Sequence, residues 1–201
     1  MEAKQLLEEF LVEAAVIHDL ANVSGLLSWD EDTNMPPGGA EGRGHLHATV
    51  SSIAHARRTS PRMAELLAAL EAADLPADGV EAAMVREGRR AYDRATKLPT
   101  RLVEELARSS SSGRQAWARA REENDFRRFE SELARMIELK REEADAVGYT
   151  TERYDALLDE YEPGARAAEL RSTFAHLRQE QVTLLAEIGD SPVELDEGVL
   201  Q

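Results

Sequence analysis

The chain has 201 residues, 39 acidic against 24 basic side chains, a formal net charge of −15 and no cysteine. That charge repels nucleic-acid phosphates and anionic lipid heads, so neither nucleic acid nor membrane is expected as a partner. The missing thiols exclude disulfides, cysteine-ligated zinc and thiol catalysis.

No uninterrupted apolar run approaches the ~18 residues of a membrane span. Glu2, Lys4, Glu8, Glu9, Glu13 and Asp19 break up the region where a signal peptide would need its apolar stretch, so a cytoplasmic protein is expected.

The first predicted helix runs from about Ala3 to Leu27. Leu7, Phe10, Leu11, Ala14, Ile17 and Ala21 recur at three- and four-residue steps and form one apolar stripe. Asp30 to Gly39 reads DEDTNMPPGG, whose prolines and glycines predict a structured loop. A second helix follows from Glu41 to just before Thr59. Ser60-Pro61 is a helix-start signature, with a capping hydroxyl and a ring preset for the first turn, and predicts a third helix over Pro61 to Ala73. The fourth spans Val80 to Thr96. Thr100 is placed to cap a fifth, reaching Glu123, whose middle is weakened by Ser109 to Gly113 as either a kink or a short linker.

A sixth helix covers Asp125 to Val147, with Phe126, Phe129, Leu133, Ile137, Ala144 and Val147 inward and Gly148 as a left-handed stop. The segment Tyr154 to Gly164 starts as a short helix and breaks at Pro163. A last helix covers Ala165 to Ile188. The pattern predicts an all-α fold of about seven packed helices over residues 1–188, with an extended tail over 189–201.

The residues for metal or nucleophilic chemistry are sparse. A helical metalloprotease site needs two histidines four residues apart with a glutamate between them. His18, His45, His47, His55 and His176 contain no such pair. His45 and His47 point about 200° apart on a helix. Asp30, Asp32, Asn34 and Glu41 occupy four positions of a calcium-binding loop, but Met35 and Pro37 stand where that loop needs a glycine and an aliphatic residue. No phosphate-cradling glycine loop and no serine-nucleophile motif is present. Two short runs remain: Trp29-Asp30 at a helix end, and Tyr154-Asp155 opening a stretch dense in tyrosines and acids.

Ser28-Trp29-Asp30, Met35-Pro36-Pro37-Gly38-Gly39-Ala40-Glu41, Arg43, Tyr92, Arg94, the run Ala95 to Pro99, Trp117, Asn124-Asp125-Phe126, the run Lys140 to Ala144, and the run Tyr154 to Gly164 occur in a fixed order. This ordered set resembles the carboxypeptidase Taq family of thermostable metallocarboxypeptidases from about Leu6 to Ile188.

The resemblance implies a helical homodimer with a groove that admits the C-terminus of a peptide. It also implies zinc or cobalt held by an HExxH helix and a downstream glutamate. No HExxH occurs here, so no catalytic or metal-ligating residue is assigned in this chain. The expectation is an N-terminal portion, inactive alone, with Trp29, Asp30, Tyr154 and Asp155 as groove-lining residues and Arg43 tying the proline loop to a neighbouring carboxylate. If a longer polypeptide continues past Gln201, HExxH is expected in its next segment. The alternative is a truncated, non-enzymatic helical module that associates with itself or with a full-length enzyme.

Overall fold

The computed structural model describes residues 3–73, 75–192 and 198. In chain order they form α1 (Ala3–Thr33), a 3-10 turn (Pro37–Gly39), α2 (Ala40–Arg58), α3 (Pro61–Glu71) and α4 (Val80–Ala95). Then come α5 (Thr100–Glu122), α6 (Arg127–Val147), α7 (Arg153–Leu158) and α8 (Ala167–Gly189). The fold is all-α. It divides into two compact units, Met1–Gly148 and Tyr149–Gln201.

The first unit is built on the apolar stripe of α1. Phe10 and Ile17 pack with Met63, Leu67 and Leu70 of α3 and Val85 of α4. Each large side chain so buried contributes roughly 1.5–3 kcal/mol. Gly88 of α4 permits this seat, because a Cβ there would lie 2.8 Å from the Phe10 ring tip and 3.2 Å from Leu67. The Ser60 hydroxyl accepts from the Met63 amide at 3.1 Å and caps α3, as the Ser-Pro pair predicts. A second group of helices places α5 between α2 and α6, with Leu102 and Leu139 fully buried.

Several expectations are corrected. α1 does not end at Leu27 but continues to Thr33, because nothing from Ser28 to Thr33 breaks a helix and the first proline is Pro36. Asp30, Asp32 and Thr33 are therefore helical, not part of a loop that wraps an ion. α5 passes unbroken through Ser109 to Gly113. Ser109 and Ser111 are buried, and Gly44 of α2 faces the α5 backbone, where a Cβ would stand 4.0 Å from Arg108, an ordinary contact.

Thr100 lies inside α5, with Pro99 in the cap position. On α6 the buried side chains are Leu139, Glu143 and Ala144, while Phe126 and Ile137 are exposed. Ala144 is thus inward as expected while Phe126 and Ile137 are not, and the inward face includes a charged residue. Gly148 does end α6 at positive φ (86°), but with ψ 151° it is not in the left-handed helical region. By length and composition alone α1 is apolar enough to cross a membrane. Glu13 and Asp19 are the charged side chains in residues 10–27, so the segment is apolar on average although no run in it is unbroken. A soluble core helix passes the same test, and α1 buries Phe10 and Ile17.

In the second unit α7 and α8 are joined through a turn in which Gly164 takes φ 80° and donates its amide to Asp159 Oδ1 at 2.9 Å. α8 is a long helix with Phe174, Leu177, Leu184 and Ile188 exposed along its length.

Candidate functional site

The densest polar assembly in the first unit lies where the end of α1 meets α2 and α5. Phe10, Ile17, Ser24 and Glu31 follow one another at seven-residue steps on α1. Extending the helix to Thr33 therefore carries Glu31 onto the buried face. Its carboxylate is 4% exposed and lies 3.3 Å from His47 Nε2, and Ser111 of α5 donates its hydroxyl to it at 2.7 Å. One turn away, Arg114 of α5 donates to both oxygens of Asp32 at 2.7 Å.

Arg43 reaches back from α2, donating to the Leu27 carbonyl at 2.5 Å and pairing with Asp30. It locks the chain on both sides of the Pro36–Gly39 turn, as expected of it. Trp29 beside this cluster is 61% exposed.

A second cluster joins α4 and α6. The Glu143 carboxylate, on a residue 4% exposed, accepts from Arg94 at 2.9 Å and from Lys140 at 2.8 Å. Lys97 donates to the Val147 carbonyl at 2.9 Å. His55 is also buried. Burial pushes its imidazole below the ordinary range, a backbone hydrogen bond at Leu98 partly offsets this, and the Arg58 charge adds to it.

A cleft of about 610 Å³ opens between α2, α5 and α6. Its charges are largely matched: Arg135 pairs with Glu105 and, at 3.3 Å, with Glu138, and Ser112 donates to Glu132 at 2.9 Å.

In the second unit Asp155 is a structural hub. One carboxylate oxygen accepts the Glu152 amide at 3.2 Å, closing a capping box on α7, and the other accepts the Ala167 amide at 2.8 Å, fixing the start of α8. Arg171 pairs with Glu152 across the same junction and holds that carboxyl below its usual range. Tyr154, next to the hub, is 59% exposed. Trp29 and Asp30 thus sit together in the first unit, and Tyr154 and Asp155 together in the second.

The family model described as Carboxypeptidase Taq (M32) metallopeptidase matches residues 9–201. The chain belongs to this family. The M32 assignment agrees with a relative from Thermus thermophilus, thermostable carboxypeptidase 1, to which the chain is 38% identical over a 209-residue alignment covering 98% of this chain and 40% of the relative. The fold is similar to the crystal structure of BsuCP, with TM-score 0.87 and 28% identity, covering 94% of this chain and 38% of that one. It is also similar to the Pyrococcus furiosus carboxypeptidase, with TM-score 0.75 and 28% identity over 92% of this chain and 37% of that one. The chain therefore spans about two fifths of the length of its M32 relatives.

The donors present do not fit a catalytic metal. His47 faces one carboxylate, Glu31, His55 faces backbone, and among the described residues no three His, Asp or Glu side chains converge. The carboxylates proposed for a calcium loop are engaged instead: Asp30 with Arg43 and Asp32 with Arg114. Sequence reasoning missed Glu31, whose place on the stripe became readable only once α1 was carried past Leu27.

Proposed function

We propose that this chain forms the N-terminal helical portion of a metal-dependent carboxypeptidase, where it walls the groove that receives a peptide's C-terminus. The M32 match from residue 9 to residue 201 carries this reading. The absence of HExxH from the sequence adds that the zinc or cobalt site, and the glutamate that activates water there, belong to the part of the M32 relatives this chain does not span. In this reading the protein is cytoplasmic and homodimeric, and Trp29 in the first unit and Tyr154 in the second are each exposed aromatic residues available to a peptide. The Arg43–Asp30 and Asp155 networks set the backbone that presents them.

The test is an assay of the purified chain on an N-blocked dipeptide with added zinc or cobalt, alongside a form extended with the remaining segment of an M32 relative. The chain alone is expected to release no amino acid and the extended form to do so. Chelator-sensitive turnover by the 201-residue chain would refute the reading. The exposed apolar face of α8 favours a second reading, an associating helical module. A stable dimer of the chain, with no gain of activity on extension, would select it.

A further inference from the structure

The end of α2 delivers Arg58 to a groove of about 300 Å³ between α1, α3 and α4, walled by Phe10, Ala14, Ile17 and Met63, with Met84 and Glu87 at its lip. That volume sits at the lower bound of small-molecule sites, and the predominantly apolar lining with one convergent charge is their usual composition. Among the described residues no carboxylate lies within ion-pairing distance of Arg58. This contrasts with Arg43, Arg57, Arg62, Arg89 and Arg114, each of which holds one. Burial lowers the Arg58 pKa with no opposing partner, though the guanidinium remains charged. The one acidic residue of the lining, Glu87, is mostly exposed and 3.8 Å from Arg90. In a chain of net charge −15, a half-buried cation without a carboxylate leaves an anion site unfilled.

We propose that this groove binds a small amphiphile with an apolar body and a single carboxylate, its chain lying along Phe10, Ile17 and Met63 and its head group on Arg58. Arginine is suited to this, because its planar fork takes both oxygens of a carboxylate. The site is separate from the Glu31 and Glu143 clusters and does not depend on the carboxypeptidase reading.

The experiment is titration calorimetry of the purified chain with sodium octanoate, octylammonium and 1-octanol. Octanoate is expected to bind at least about tenfold more tightly than either of the others. Arg58→Met, which keeps the apolar stem, is expected to remove that preference, and Ala14→Phe to fill the groove and abolish binding. Glu87→Gln, at an exposed rim position, is expected to tighten octanoate binding at low salt, and it supplies the test should Arg58→Met fail to fold. Several outcomes would overturn the proposal: no octanoate binding, equal binding of octylammonium, unchanged octanoate affinity in folded Arg58→Met, or unchanged affinity in Glu87→Gln. So would an Arg58→Met variant that changes only the chain's oligomeric state, which would show that a second copy fills the groove.

Discussion

Removing the Glu143 carboxylate leaves the most consequential hole in the first unit. Glu143 is 4% exposed and accepts from Arg94 and Lys140. Lys140 is 42% exposed and returns to water easily, so its loss costs little. The Arg94 side chain is 19% exposed and cannot hydrate fully where it stands. Breaking a buried pair by deleting one partner costs ~3–5 kcal/mol, mainly from the charge left behind. With the Lys140 share discounted, Glu143→Ala is expected to destabilise by about 3 kcal/mol, which for a unit of this size lowers Tm by about 10 °C.

The assay is a double-mutant cycle by urea denaturation. Arg94→Met is expected to rescue Glu143→Ala by about 1–2 kcal/mol, because it removes a partly buried charge that has lost its Glu143 partner. A loss below about 1 kcal/mol for Glu143→Ala, or a double mutant no more stable than the single, would refute the reasoning.

Gly88→Ala is expected to destabilise by about 1–2 kcal/mol, since overpacking against Phe10 and Leu67 outweighs the better helix propensity of alanine. Gly25→Ala, also inside a helix but with nothing within 4 Å, is expected to stabilise by about 0.5–1 kcal/mol, and thermal melts of the two variants give the opposite signs. Folding holds the His55 pKa below its unfolded value of 6.5. The unfolded state therefore binds the extra proton first, and this contribution is full above about pH 6.5 and lost as pH falls through the folded pKa. Tm is expected to fall on acidification below neutrality, and the slope to shrink in His55→Gln. Asp155→Ala removes the acceptor for two backbone amides. It is expected to destabilise the second unit by about 1–2 kcal/mol and to speed limited proteolysis between Glu152 and Ala167.

Helix identity was readable in the sequence because the apolar stripes and breakers act locally. Ser60-Pro61 starts α3, Pro36 ends what precedes it, and Phe10 and Ile17 mark the core face of α1. What misled the reading was tertiary in origin. Ser109 to Gly113 carry low helix propensity and read as a weak point, yet α5 runs unbroken through them with Ser109 and Ser111 buried in the packing. Phe126 and Ile137 read as core by hydrophobicity, but α6 turns Glu143 inward because Arg94 is there to meet it. Of the proposed site residues, Asp155 was singled out for its surroundings, and the structure adds that it holds two helix starts, a role that no single-sequence pattern distinguishes from substrate contact. That Arg58 is half-buried with no carboxylate in pairing distance is defined only by neighbours far along the chain.

The packing of α5 has a consequence for divergence within the family. Ser109 and Ser111 are buried in the packing of α5, so a large side chain at either position would push its neighbours apart and disturb the Ser111–Glu31 hydrogen bond. Drift at these positions should be confined to glycine, alanine and serine. The charged outer surface of α5, by contrast, is free to vary and to acquire whatever each homologue's own surroundings demand.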